Sequence, residues 1–123
     1  MIRAQCANYC LHVNILNMAI AFARISYHSR SQGHSAVAGA AYRAGVELKD
    51  NRTGEVHSFK NRSDVIYSEI LLPEGAAIQF KDRETLWNAV EAAEMRRNSQ
   101  IAKDIVLALP RDLDLSLQIG LAR

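Results

Sequence analysis

Apolar and polar positions divide the chain into short segments with different periods. From Ala19 to Tyr27 large and small apolar residues alternate loosely, which predicts a strand. Ser29-Arg30-Ser31-Gln32-Gly33 is a loop by its Ser and Gly content. Ser35 then stands as an N-cap, and Ala36 to Ala44, closed by Gly45, predicts a short helix built almost wholly of Ala and Gly. Such small residues let another backbone or a ligand approach closely. Glu47 to Lys49 and Glu55 to Phe59 flank the turn-rich link Asp50-Asn51-Arg52-Thr53-Gly54, a β-hairpin signal. Val65 to Leu72 is a short apolar segment closed by Pro73, and Ala76-Ala77-Ile78 predicts a brief helical turn.

Asp82 to Arg97 carries the best helical pattern. Asp82 and Glu84 open it and Arg96 and Arg97 close it, matching the macrodipole. Leu86, Val90 and Ala93 form its apolar stripe, with Trp87 beside them. Ile101 to Leu109, rich in β-branched residues and Leu and ended by Pro110, predicts a central strand. Asp114 to Arg123 resumes a helical pattern with Leu113, Leu117 and Leu121 in register. Residues 1–17 show no such pattern and are expected to be an N-terminal extension outside the fold. Met18 looks like a second beginning, so the domain is expected over 18–123. The expected class is α+β, an antiparallel sheet packed against helices.

Composition narrows this little. The chain has 123 residues, 49% of them hydrophobic and 23% charged, as in an ordinary globular domain. The formal net charge is +2, but it is unevenly spread. Residues 18–62 carry seven Lys/Arg against three acids, and residues 63–123 carry seven against ten. A basic cluster is the usual footprint of phosphate binding, although a solvated face has the same composition. Cys6 and Cys10 suit neither a zinc knuckle nor a disulfide framework, so free thiols are expected. His12, Asn14 and Asn17 break the apolar run that a signal peptide would need, and no stretch reaches transmembrane length. A cytoplasmic location without membrane attachment is expected.

Two residues stand out as candidates for chemistry. Tyr42 has Gly39 and Ala38 at i−3 and i−4, so its ring stands over a low wall, with Arg43 adjacent and Arg30 just before the helix. A phenol, with a pKa near about 10, needs a cation or metal to attack phosphate. Taken by itself, Tyr42 fits a core tyrosine more readily. Asp104 lies on the predicted strand among Ala102, Val106 and Ala108, with Lys103 pointing the other way. A carboxylate placed there should meet a cation or a histidine N–H, unless that end of the strand is wet. His12, His28, His34 and His57 are scattered, with no His-x-His and no His-Glu-x-x-His, so local spacing assembles no metal site. His34, beside the helix start, either touches a phosphate or faces solvent. There is no Walker-type loop.

Several blocks in order resemble the MobA/MobL plasmid-mobilisation relaxases, and most nearly the segment that begins TraA conjugation proteins. They are Met18-Ala19-Ile20, Gly33-His34-Ser35-Ala36-Val37-Ala38, Ala40-Ala41-Tyr42-Arg43-Ala44-Gly45 and Asp50-Asn51-Arg52-Thr53-Gly54-Glu55. Then come Tyr67-Ser68-Glu69-Ile70-Leu71-Leu72-Pro73, Asp82-Arg83-Glu84-Thr85-Leu86-Trp87-Asn88-Ala89-Val90-Glu91 and Ala108-Leu109-Pro110-Arg111. The resemblance implies an HUH-type relaxase palm, incomplete at its C-terminus. It implies Tyr42 as the nucleophile on a phosphodiester at the transfer origin, with a 5′-phosphotyrosine and a free 3′-hydroxyl as products. The family's acidic strand residue falls on Asp104; Arg30, His34 and Arg43 are expected to contact DNA.

Mg²⁺ or Mn²⁺ is implied for the full enzyme. The family's metal-binding histidines lie past the point where this chain stops, so no metal ligand is expected here and the chain alone is expected not to nick. Implied partners are single-stranded DNA at a transfer origin and other relaxosome or conjugation proteins. Two further readings stay open: a non-catalytic remnant that binds single-stranded DNA, and a small α+β interaction protein.

Overall fold

The computed structural model describes the backbone of residues 5–10 and the whole of residues 23–123. In chain order the elements are strand β1 (Gln5–Cys10), strand β2 (Ala23–Ser29), a 3₁₀ turn at Arg30–Gln32 and helix α1 (Ala36–Ala44). Strands β3 (Glu47–Lys49), β4 (Val56–Ser58) and β5 (Val65–Leu71) follow, then a 3₁₀ turn at Ile78–Lys81. Helix α2 (Arg83–Ala93), strand β6 (Gln100–Leu107) and helix α3 (Leu115–Ala122) complete the chain. The class is α+β. Among the described residues the strands form three antiparallel pairs, β1–β5, β2–β6 and β3–β4.

Helix α1 is bracketed as its sequence predicts. The Ser35 hydroxyl accepts the Ala38 N–H, and Gly45 ends the helix at φ 64°, a left-handed conformation that glycine adopts without a Cβ penalty. Ala36, Val37, Ala40 and Ala41 of its buried face pack against Leu48, Trp87 and Ile101 to form the core, and Ala44 is buried as well. Small residues allow this close approach, so α1 touches α2, both hairpin strands, β1 and β5.

The start of α1 is also tied down by two buried carboxylates. Glu91 of α2 accepts the Ala36 N–H at 2.6 Å and an Arg30 guanidinium N–H at 2.7 Å, and Arg52 stands 3.4 Å from the same carboxylate. Asp50, fully buried in the hairpin link, accepts the Ser35 hydroxyl at 2.7 Å and the Arg52 N–H at 2.9 Å.

Four expectations change. Gln5–Cys10, expected outside the fold, forms β1 and pairs with β5 from Gln5↔Leu71 to Cys10↔Val65; the edge of β5 presents backbone donors and acceptors that a further strand satisfies. Met18 and the first residues of the expected strand at Ala19–Tyr27 lie outside the described residues. Helix α2 stops at Ala93, so Arg96 and Arg97 are not in its last turn. There the Ser99 hydroxyl bonds the Glu94 and Arg96 carbonyls, closing a turn into β6. Its inward face is completed by buried Glu91, whereas Ala93 is exposed. Strand β6 is not central: among the described residues it pairs only with β2. Ile25 and Ile105 oppose each other across that ribbon at 59% and 54% exposure. Leu117 and Leu121 of α3 are exposed as well. Among the described residues, no helix is long and apolar enough to cross a membrane.

Glu91→Ala would take the buried carboxylate from the Arg30 and Arg52 guanidinium groups and the acceptor from the Ala36 N–H. It should cost roughly 3 kcal/mol, as breaking buried ion pairs does, and show as a lower urea midpoint with an unchanged slope. Burial would push the Asp50 carboxyl up, but the bonds from Ser35, Arg52 and Thr53 and the Arg52 charge hold it below the usual aspartate value. A carboxyl lowered on folding adds stability above its unfolded pKa, about 3.9. That contribution is lost as pH falls through the lower folded value. Acid unfolding should therefore be steeper below about pH 4 in the wild type than in Asp50→Asn, as followed by circular dichroism.

Candidate active site

Tyr42 sits in the last turn of α1, where a helical side chain leans back over positions i−3 and i−4, here Gly39 and Ala38. It is 46% exposed. Phe59 meets its ring edge-on at 5.3 Å. The Arg62 guanidinium covers the ring at 3.9 Å and donates to the Tyr42 carbonyl at 2.9 Å. The ring is thus held, while Tyr42 borders an open concavity of about 340 Å³ shared with His28, Gly33, His34, Gly39 and Arg43.

Asp104 points where the strand alternation put it, on the same face of β6 as Ala102 and Val106. It meets both partners that its position demanded. Arg43 donates through Nε to Oδ1 at 2.8 Å and through Nη2 to Oδ2, and His28 Nε2 lies 2.5 Å from that same Oδ2. The carboxylate is matched by Arg43, so the histidine nitrogen is the donor. Burial first, and then the Arg43 charge, hold the His28 imidazole below the ordinary histidine value. His28 is therefore neutral at pH 7, with its proton on Nε2 and its Nδ1 without a hydrogen-bond partner among the described residues.

His34 is set the other way. The Ser29 N–H donates to its Nδ1 at 3.3 Å, so in the neutral ring the proton is on Nε2. The two imidazoles stand edge to face, with centroids 5.1 Å apart. Among the described residues, no three His, Cys, Asp or Glu side chains come together in a way that could hold a metal ion. Both Asp104 oxygens are already engaged. The side chains around Tyr42 therefore do not fit a divalent metal among the described residues.

Of the expected site residues, the structure brings Tyr42, His34 and Arg43 to one concavity and ties Asp104 to it through Arg43. Arg30 departs from expectation. Its guanidinium turns inward to the Glu91 side chain and carbonyl, leaving its side chain 16% exposed. It supports the start of α1 rather than facing a phosphate, because a buried carboxylate binds it in place. His28 and Arg62 were missed. The signal for His28 was period-two: Arg24, Ser26 and His28 share a face of β2, and Ser26 pairs with Asp104 across the ribbon. Arg62 carried no signal beyond its charge.

The chain is 42% identical over 99 residues to the mobilization protein MobL of Acidithiobacillus ferridurans, covering 77% of this chain and 25% of that protein. It is 41% identical to the probable mobilization protein MobA of Bifidobacterium longum, covering 77% of this chain and 17% of that one. It is 32% identical to the conjugal transfer protein TraA of Agrobacterium fabrum, covering 86% and 10%. A solved structure concerned with the molecular basis of vancomycin resistance transfer in Staphylococcus aureus superposes with a TM-score of 0.80 at 39% identity, over 85% of this chain and 53% of that one. The chain thus spans a quarter or less of the length of these mobilisation and conjugal transfer proteins.

Together these likenesses define a relaxase-type protein of plasmid mobilisation and conjugation. Residues 34–123 match the MobA/MobL family, and the chain belongs to it.

Gly39 tests how open the concavity must be. A Cβ there would stand 3.5 Å from the His28 ring, an ordinary contact. Gly39→Ala should fold normally and gain about 0.5–1 kcal/mol from helix propensity, measured by urea denaturation. A loss of stability would show that the ring sits closer to the helix than described.

Proposed function

We propose that this chain is the tyrosine-bearing part of a relaxase that nicks single-stranded DNA at a plasmid transfer origin. The Tyr42 oxygen would attack the scissile phosphorus and the bond from phosphorus to the 3′-oxygen would break. The products are a 5′-phosphotyrosine and a free 3′-hydroxyl. The observation that carries this reading is Tyr42 itself, exposed at the rim of a concavity that also holds His34 and Arg43. His34 Nε2–H is a donor suited to a phosphate oxygen, and Arg43, bound to Asp104, keeps positive charge beside the tyrosine. The proposed partners are the origin strand and other conjugation proteins, in the cytoplasm.

We further propose that the 123-residue chain alone leaves DNA uncut. A sugar 3′-alkoxide is a poor leaving group, and no donor set for a stabilising metal is assembled among the described residues.

The segment of the MobL relative that aligns with this chain can be replaced by the aligned residues of this chain and assayed on an origin oligonucleotide with Mn²⁺. The chimera should form a covalent DNA adduct that Tyr42→Phe abolishes. An adduct that survives Tyr42→Phe would refute the nucleophile. The chain alone should bind single-stranded DNA with a log–log salt slope of roughly −0.7 per contacted phosphate, unchanged by Tyr42→Phe. Cleavage by the chain alone would overturn the second proposal, and absence of binding at low salt would favour a protein-interaction role.

A further inference from the structure

The two histidines of the Tyr42 concavity have opposite free nitrogens. His34 offers an N–H at Nε2, because its Nδ1 is taken by the Ser29 N–H. His28 offers a lone pair at Nδ1, because its Nε2–H is taken by Asp104. That lone pair is placed where it can matter. The Cε1–Nδ1 edge of His28 lies over Gly39, 3.5 and 3.8 Å from where a Cβ would be. Tyr42, one turn on in the same helix, borders the same concavity as Gly39 and His28. Imidazole and tyrosine therefore line one open space.

We propose that His28 is the general base for Tyr42, its Nδ1 receiving the phenolic proton while Asp104 fixes the ring through Nε2. This rests on the reading of Tyr42 as nucleophile and deepens it. The step balances within the pocket. The Tyr42 O–H bond breaks and its proton passes to Nδ1, making an imidazolium whose charge Asp104 stabilises. The phenolate oxygen bonds to phosphorus as the ester oxygen departs with the electron pair. The arrangement is that of a carboxylate–imidazole–hydroxyl relay, with a phenol in the nucleophile's place. The low proton affinity of His28 agrees with it, since the ring is unprotonated and ready at neutral pH. The charged and titratable groups around His28 are Asp104 from β6, Arg43 and Tyr42 from α1, and His34 from the turn before it.

The experiment uses bis(para-nitrophenyl) phosphate on the full chain, because a para-nitrophenolate leaving group needs no metal. The wild type should release one equivalent of para-nitrophenolate and carry the remaining aryl phosphate on Tyr42, located by mass spectrometry. The rate should rise with pH through a titration below the ordinary histidine value and then level off. His28→Gln keeps a donor for Asp104 but has no ring nitrogen; it should label roughly 100-fold more slowly and lose that titration. An unchanged rate and profile in His28→Gln would overturn the base and leave the nucleophile standing. Absence of Tyr42 labelling in the wild type would overturn both. Nitrogen-15 NMR of the wild-type imidazoles checks the tautomers without any variant, and a proton on Nδ1 of His28 would also refute the proposal.

Discussion

The structure hangs on the start of α1 and the two buried carboxylates that hold it. A helix of nine residues, mostly Ala and Gly, has little stability of its own in water. Its first turn presents N–H groups that need acceptors. Ser35 supplies one and Glu91 another. Asp50 holds Ser35 from the hairpin side, so α2, the hairpin link and the 3₁₀ turn carrying Arg30 all converge on one helix end. The core then needs only small side chains on α1, because position is fixed by hydrogen bonds rather than by bulk.

The same logic governs charge. By count, residues 18–62 look like a basic surface. In the fold most of those cations are matched by acids from the second half. Arg30 and Arg52 meet Glu91, Arg43 meets Asp104, and Arg62 meets Asp64. The concavity beside Tyr42 is bordered by a phenol, two imidazoles and one paired guanidinium. On the proposed function, a phosphate there would be held by oriented hydrogen bonds more than by a broad positive field.

Much of this was legible from local rules. Ser35 and Gly45 bracket α1 to the residue, and the link at Asp50–Gly54 marks the hairpin. Asp104, on a period-two face beside small apolar residues, had to find a cation or a histidine and found both. Illegible features depended on contacts between residues far apart in sequence. Nothing near Glu91 says that it caps a helix 55 residues earlier, and nothing near Arg62 says that it covers a tyrosine 20 residues back. The early end of α2 had a local cause, the Ser99 hydroxyl, yet propensity and terminal charge favoured a longer helix. The ribbon β2–β6 has the apolar content of a central strand pair but shows one apolar face to water among the described residues.

The two brackets of α1 set more than its length. Successive residues of a helix are rotated by about 100° around its axis. Ser35, anchored by Asp50, fixes the angular phase at one end, and Tyr42 lies seven residues on, close to two full turns. The phenol therefore emerges on nearly the same side as the capping serine, above the mouth of the concavity. One residue inserted or deleted between them would swing the ring, and Arg43 with it, a quarter-turn or more around the helix axis, away from the two imidazoles. In this fold the seven-residue interval is a structural dial, and its setting matters as much as the identity of the tyrosine.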